Sequence, residues 1–248
     1  MRIATWNVNS VRQRLPHLLD YLDKARPDAL CLQELKCVDE AFPRAEVEAA
    51  GYRCAVHGQK GFNGVAILTR AEPLDVLVGL PGDEADVQSR YIEAVLPAAE
   101  GDGAGPVRVA SIYLPNGNPP DTDKYPYKLG FMDRLIRRAA ELIEAEECFV
   151  LAGDYNVIPE PRDAFDASAW VHDALFLPDT RRRFRALLNL GLTDAVRATT
   201  DASGTYTFWD YQAGAWQRNR GIRIDHLLLS PRAADKPSDH VPVRIDLA

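Results

Sequence analysis

Short apolar runs that stop abruptly at an acid, an amide or a hydroxyl recur along this chain. Phe149-Val150-Leu151-Ala152 runs into Gly153-Asp154-Tyr155-Asn156, and Ala29-Leu30-Cys31-Leu32 runs into Gln33-Glu34. The opening stretch 1–6 runs into Asn7-Val8-Asn9-Ser10. Runs this short, bounded by polar and turn residues, read as strands rather than helices. The same reading gives strands over 52–56, 65–68, 74–78, 91–96, 107–113, 205–211, 222–229 and 241–247. Helical spacing predicts a helix over 11–25 capped by Ser10, a short one over 43–50, the longest over 126–146 and a basic one over 181–191. Pro16 sits too deep in the first of these for a regular start. Strands outnumber helices, and only some units alternate strand with helix. The expected architecture is therefore an α/β fold in four layers, with two packed, mixed and mostly antiparallel sheets flanked by helices. No composition break divides the chain, so residues 1–248 are expected to form one domain. The Gly/Ala-rich stretch 98–106 reads as a hairpin tip. The long stretch 157–180, with little periodicity, reads as a functional loop.

Composition narrows the classes. Apolar residues make up 46% of the chain, enough for a real core. No apolar run approaches the ~20 residues of a membrane-spanning helix, and residues 1–6 lack the pattern of a secretion signal. The four cysteines, Cys31, Cys37, Cys54 and Cys148, form no zinc spacing. A soluble protein of the reducing cytoplasm is expected, with Cys31 and Cys148 as buried thiols. The net charge of −7 argues against binding nucleic acid through bulk positive charge. Carboxylates gathered around a divalent cation would lower the net charge while attracting phosphate.

The polar residues at the strand ends carry the functional signal. In chain order they are Asn7 and Asn9, Glu34, Tyr113, Asp154 and Asn156, Asp225, then Asp239 and His240. Each alone is an ordinary turn former or exposed terminus. Asp154 and Asn156 lie two apart, so an extended backbone points them the same way. Asp225 interrupts an otherwise apolar strand, where a carboxylate is costly unless paired or metal-bound. An imidazole at 240 paired to Asp225 would be poised near physiological pH. His226 is expected on the opposite face of its sheet. Carboxylate and amide oxygens suit magnesium or manganese, and a hard metal with His and Asn at one sheet edge is equipment for phosphoester hydrolysis.

These segments resemble a known family. Thr5-Trp6-Asn7-Val8-Asn9, Leu32-Gln33-Glu34-Leu35-Lys36, Gly61-Phe62-Asn63-Gly64-Val65-Ala66, Tyr113-Leu114-Pro115-Asn116-Gly117, Gly153-Asp154-Tyr155-Asn156, Arg223-Ile224-Asp225 and Ser238-Asp239-His240 look like the motifs of the endonuclease/exonuclease/phosphatase superfamily. Gln33-Glu34-Leu35-Lys36 and Gly221-Ile222-Arg223-Ile224-Asp225 look like the exonuclease III branch of abasic-site endonucleases. The resemblance implies Glu34 as the principal ligand of Mg2+ or Mn2+, helped by Asn7 and Asp239. Asp154, Asn156 and His240 complete the metal surroundings. Asp154 would orient or deprotonate the attacking water, and Asn156 would hold that water or a phosphate oxygen. His240 would bond the scissile phosphate, with Asp225 fixing its ring, and Tyr113 would stabilise developing charge.

For duplex phosphates the candidates are Arg90, Lys124, Lys128, Arg218 and Arg220, with Arg181, Arg182, Arg183, Arg185 and Arg223 behind them. Phe208, Trp209, Ile222 and Ile224 would wall an apolar pocket for an abasic sugar, which is flipped out cheaply because no base is stacked. Some relatives carry Trp where Ile222 stands, so the pocket here has a smaller wall. The family also usually has a longer segment between Asp225 and His240. Here the eight steps from Ser230 to Ser238 span at most about 28 Å, which could close the gap but with no room for a helix; either the loop is pared down or a piece is omitted, and the abrupt join favours omission.

The expected function is a monomeric DNA-repair nuclease that cleaves 5′ to abasic sites in duplex DNA, with 3′→5′ exonuclease and 3′-phosphatase activity. The alternatives are a superfamily phosphoesterase acting on RNA, inositol phosphates or sphingolipid, and a catalytically dead binding module on the same fold.

Overall fold

The computed structural model describes residues 1–98, 105–212 and 214–234. Asp239, His240 and the strand expected over 241–247 lie outside the described residues, as does most of the tip 98–106. Among the described residues no helix is long and apolar enough to cross a membrane.

Two sheets face each other. One has four strands in the order β1 (Ile3–Asn7), β2 (Ala29–Gln33), β4 (Val65–Thr69) and β3 (Arg53–His57). The other has six, in the order β5 (Asp75–Val78), β6 (Tyr91–Leu96), β7 (Val107–Tyr113), β8 (Phe149–Asp154), β12 (Asp225–Leu229) and β9 (Thr193–Asp194). Among the described residues only β1/β2 and β7/β8 pair in parallel; the other pairs are antiparallel. A two-stranded ribbon, β10 (Phe208–Trp209) with β11 (Gly221–Ile222), stands apart.

Period-two alternation sends each strand's apolar residues to both faces, so both sheets are buried on two sides. Ala29, Cys31, Val65 and Ile67 meet Ile92, Val109, Val150, Ala152 and Leu227 between the sheets. Helices cover the outer faces. On one side Leu18 and Leu22 of α1 (Leu15–Ala25) and Val47 of α2 (Arg44–Ala49) pack on Leu30, Leu32 and Leu68. On the other, Phe131, Met132, Leu135 and Leu142 of α3 (Lys124–Glu144), with Phe184 and Leu187 of α4 (Pro178–Asn189), pack on Ile112, Phe149 and Leu151. The expected four layers are present.

Several expected boundaries move for identifiable reasons. α1 starts at Leu15 after a turn, with Arg14 rather than Ser10 at its N-cap; Pro16 then falls in the first turn, where its missing N–H is harmless. The strand expected over 205–211 shrinks to Phe208–Trp209, because the Thr207 hydroxyl and N–H serve the chain at Ile222, Ile224 and Asp225. The strand expected over 222–229 breaks at Arg223 and Ile224. There the Arg223 N–H goes to the Asp163 carbonyl and the Ile224 carbonyl accepts from the Tyr155 N–H. The loop 157–180 holds two short 3-10 turns, Pro161–Asp163 and Ala167–Trp170. α5 (Ala195–Thr199), capped by the Asp194 carboxylate, was not expected. After Ser230 the chain does find room for one helical turn, α6 (Pro231–Ala234), whose last N–H groups bond back to Ser230. Cys31 is buried, whereas Cys148 is only partly so.

Candidate active site

Three adjacent strands of the six-stranded sheet end in a row of polar residues. The parallel register sets Tyr113 beside Asp154, and the antiparallel register sets Asp225 on the other flank of Asp154. Across the gap, β1 and β2 of the facing sheet end together at Asn7 and Gln33, and Glu34 follows. The Asn7 amide joins the sheets: its Nδ2 donates to Glu34 Oε1 at 2.8 Å and to Asp154 Oδ2 at 2.9 Å.

The backbone here is bent into unusual shapes. Five of the eight non-glycine residues with positive φ among those described are Asn9, Ser10, Glu34, Lys36 and Asn156. Glu34, at φ 55°, has a conformation that a carboxylate side chain adopts at a cost, and such strain concentrates at functional sites. The bend is fixed by the Glu34 carbonyl, which accepts from the Ser10 N–H at 2.8 Å, and by Lys36 Nζ, 2.9 Å from Glu34 Oε2.

The electrostatics are those of crowded anions. Burial pushes the Asp154 carboxyl up to about 6, with added repulsion from Glu34, against hydrogen bonds from Asn7 and the Asn156 N–H. Burial and the neighbouring Asp154 drive Asp225 well above the usual carboxylate range, although Thr207 bonds to it. Burial, then the Glu34 and Asp154 charges, keep Tyr113 protonated far above neutrality. Beneath the site, Lys128 Nζ donates to the Asn156 carbonyl at 2.6 Å and the Asn116 carbonyl at 3.0 Å, and burial pulls its ammonium down to about 7.

No cluster of three His, Cys, Asp or Glu side chains poised to hold a metal ion occurs among the described residues. The donor chemistry nevertheless suits a hard cation. Two carboxylates, Glu34 and Asp154, share one amide bridge and repel each other, and every oxygen donor is carboxylate or amide.

The expected site residues separate into groups. Asn7, Glu34, Tyr113, Asp154 and Asp225 converge. Asn156 does not point alongside Asp154: its left-handed φ of 48° turns the amide away, donating to the Leu114 carbonyl at 2.9 Å and accepting from Asn116 Nδ2 at 3.1 Å. Lys128 is fully buried and offers no surface charge to a duplex, because its ammonium is spent on loop carbonyls. Arg223 is likewise buried, between Asp163 and Asp194 at 2.7 Å each. Arg182 and Arg183 are paired with Asp179 and Asp133. Ile222 packs in a cluster with Ile158, Leu175 and Phe176 instead of walling the cleft, and its ribbon partner Phe208 lines the cleft in its place. Arg90 lies half-buried beside Tyr113, while Lys124, Arg218 and Arg220 are exposed.

A cleft of about 510 Å3 joins the carboxylates Glu34, Asp154 and Asp225 to an aromatic wall of Phe208, Trp209 and Trp216. Trp216, half-exposed and edge-on to Trp209 at 4.7 Å, was missed by sequence reasoning, as were Tyr211, Trp6 and Arg14 along the same cleft. Asn116 and Lys36 were missed too. Both follow strand-end residues already singled out, at the offsets where the bent backbone returns to the site.

The match to known proteins covers this whole arrangement: residues 4–240 fit the Endonuclease/Exonuclease/phosphatase family. The chain belongs to that family. Within it, the chain groups with the exonuclease III branch. It is 33% identical to an exodeoxyribonuclease III of Haemophilus influenzae over 98% of both chains. An AP endonuclease from Archaeoglobus fulgidus superposes with a TM-score of 0.87 at 36% identity, over 95% of this chain and 89% of that one. The 3′ phosphatase NExo of Neisseria, bound to a product DNA hairpin, superposes with a TM-score of 0.86 at 37% identity, over 97% and 96%.

Proposed function

We propose that this protein is a cytoplasmic, monomeric, single-domain DNA-repair nuclease that hydrolyses the phosphodiester 5′ to abasic sites in duplex DNA. It also trims 3′ ends as an exonuclease and 3′-phosphatase. The observation that carries the reading is the row Tyr113–Asp154–Asp225 facing Asn7 and Glu34 across the sheets, in one cleft with an aromatic wall. Carboxylates supply chemistry at one end of that cleft, and at the other an apolar surface receives a sugar without its base. Similarity to an exodeoxyribonuclease, an AP endonuclease and a 3′ phosphatase supports all three activities. The free thiols suit a reducing compartment.

Glu34 and Asn7, with Asp154 beside them and Asp239 and His240 from outside the described residues, would hold Mg2+ or Mn2+, while Asn156, its amide committed to Leu114 and Asn116, fixes the loop behind Asp154. When bound, the ion neutralises phosphate charge and screens the anionic site. Asp154 takes the proton of the attacking water. That role suits a carboxyl lifted towards neutral pH, since a base near the operating pH accepts protons most usefully. The water oxygen bonds to phosphorus as the P–O3′ bond breaks, leaving a 3′-hydroxyl and a 5′-phosphate on the abasic sugar. Tyr113, which stays protonated, donates a hydrogen bond to developing oxygen charge. Asp225 orients His240 toward the phosphate.

The test is nicking of a duplex carrying one abasic analogue, with magnesium or with chelator. Metal-dependent incision 5′ to the lesion is expected, falling by about 10²–10⁴ in Asp154→Asn and to a comparable degree in Glu34→Ala, with far-UV circular dichroism unchanged. Incision that persists in chelator would refute the reading.

A further inference from the structure

Arg90 is held by a chain of contacts that begins on the far side of its loop. Asp86, in the loop between β5 and β6, has a side chain only 8% exposed. Both its oxygens accept from the Tyr127 hydroxyl of α3 at 3.0 Å, and it pairs with Arg134 of the same helix. Asp86 Oδ1 also accepts the Gln88 N–H at 3.1 Å, which bends the loop so that the Gln88 side chain faces back. Gln88 Oε1 then accepts from Arg90 Nε at 2.7 Å. Arg90 in turn gives Nη1 to the Tyr113 carbonyl at 3.3 Å and lies over the Tyr113 ring at 4.8 Å, while its own carbonyl accepts the Tyr113 N–H at 2.8 Å.

An arginine on a loop has several rotamers and side-chain entropy to lose, so an unheld one samples many positions. The partners chosen here matter. Asp86 spends its charge on Arg134, one residue type removed from the site, and passes only geometry to Arg90. The groups that touch Arg90 are neutral: an amide oxygen, a carbonyl and a ring. Its positive charge is therefore fixed in place without being cancelled.

We propose that Asp86 is a positioning residue, which through Gln88 holds the Arg90 guanidinium over Tyr113 with its charge open to a substrate phosphate. The use of that charge rests on the nuclease reading above; the positioning itself does not. Because Asp86 reaches Arg90 only through Gln88, its removal acts on the reaction through Arg90, while the loss felt by Arg134 and Tyr127 is common to both arms of the cycle below.

The experiment is a double-mutant cycle of Asp86→Ala and Arg90→Ala, with Asp86→Asn as the milder change should the alanine variant fold poorly. On an abasic-site duplex, kcat/KM is expected to fall about tenfold in Asp86→Ala and to fall no further when Asp86→Ala is added to Arg90→Ala. A merely structural loss would multiply the two effects, which would overturn the proposal. Gln88→Glu, which places an anion against Arg90, is expected to raise KM several-fold with the melting temperature retained. A second readout needs no activity. The Arg90 Nε–H resonance, assigned by its loss in Arg90→Lys, is expected to be slowed in exchange in the parent and to lose that protection in Asp86→Asn. Unchanged protection overturns the proposal even for an inactive protein, whereas lost protection with no incision by the parent would refute the nuclease reading alone.

Discussion

His226 shows how far a single side chain can be read from sequence. Its expected place on the sheet face opposite Asp225 is where it lies, but what surrounds it there could not be foreseen. It is fully buried, with its ring against Phe184 and Tyr155. Arg223 has only donors, so the Nδ1 atom 3.0 Å away must be the acceptor, and Nε2–H donates to the Val157 carbonyl at 3.0 Å. Burial, then the Arg223 charge, lowers its pKa to about 4, so the folded protein keeps it neutral while the unfolded chain protonates it near 6.5. Between those values the unfolded state holds more protons, so stability falls as pH drops from 6.5 toward 4, by up to about 3 kcal/mol from this group. Urea titrations at pH 4.5, 5.5 and 6.5 are expected to give a flatter pH profile for His226→Gln than for the parent; parallel profiles would contradict the burial argument. Asp154, whose raised pKa acts in the opposite sense, is present in both proteins and cancels from the difference. Asp225 was legible as an oddity, a carboxylate in an apolar run. Asn156 was only half legible: its motif shows, but the left-handed backbone that turns its amide onto Asn116 leaves no mark in a single sequence, since Asn tolerates many conformations.

Strands were the legible elements because their evidence is local. Val107–Tyr113 and Tyr91–Leu96 fall where the apolar runs put them. The segment over 222–229 was misread because its break depends on partners distant in sequence: Asp163 and Asp194 capture Arg223, and no local pattern announces them. Gly153 gives the element scale its sharpest test. It pairs with Ile112 in the parallel β7/β8 ladder, and a Cβ added there would meet the Ile112 carbonyl oxygen at 2.0 Å. No flexible side chain can yield; two strand backbones would have to part, directly before Asp154 and beside Tyr113. Gly153→Ala is expected to cost about 3 kcal/mol or more in urea unfolding, above the usual range for overpacking because backbone must move. A loss below about 1 kcal/mol with full nicking activity would mean the strands separate more easily than this contact allows.

At the scale of the whole molecule, a net charge of −7 has to be reconciled with a polyanionic substrate. The reconciliation lies in where cations are spent. Arg134 serves Asp86, Arg108 and Arg138 serve the buried Glu93, Arg183 serves Asp133, and Arg197 and Arg223 serve Asp163. These arginines hold the layers together and have no charge left for DNA. Lys128 is buried beneath the site. Of the five candidates put first for duplex phosphates, the burial of Lys128 leaves Arg90, Lys124, Arg218 and Arg220. Binding should therefore be steered by a few placed charges rather than by a basic surface. Four phosphate contacts on a duplex correspond to a slope of roughly −4 in log K against log salt concentration, at about −0.9 per contact. Fluorescence anisotropy of an abasic-site duplex across a salt series, in chelator to prevent cleavage, measures that slope directly. Arg90→Ala and Arg220→Ala should each make it shallower by about one, while Arg183→Ala should leave it unchanged. A slope steeper than about −8 would mean that the ion-paired arginines release their carboxylates for DNA, and that the division of labour among the cations is wrong.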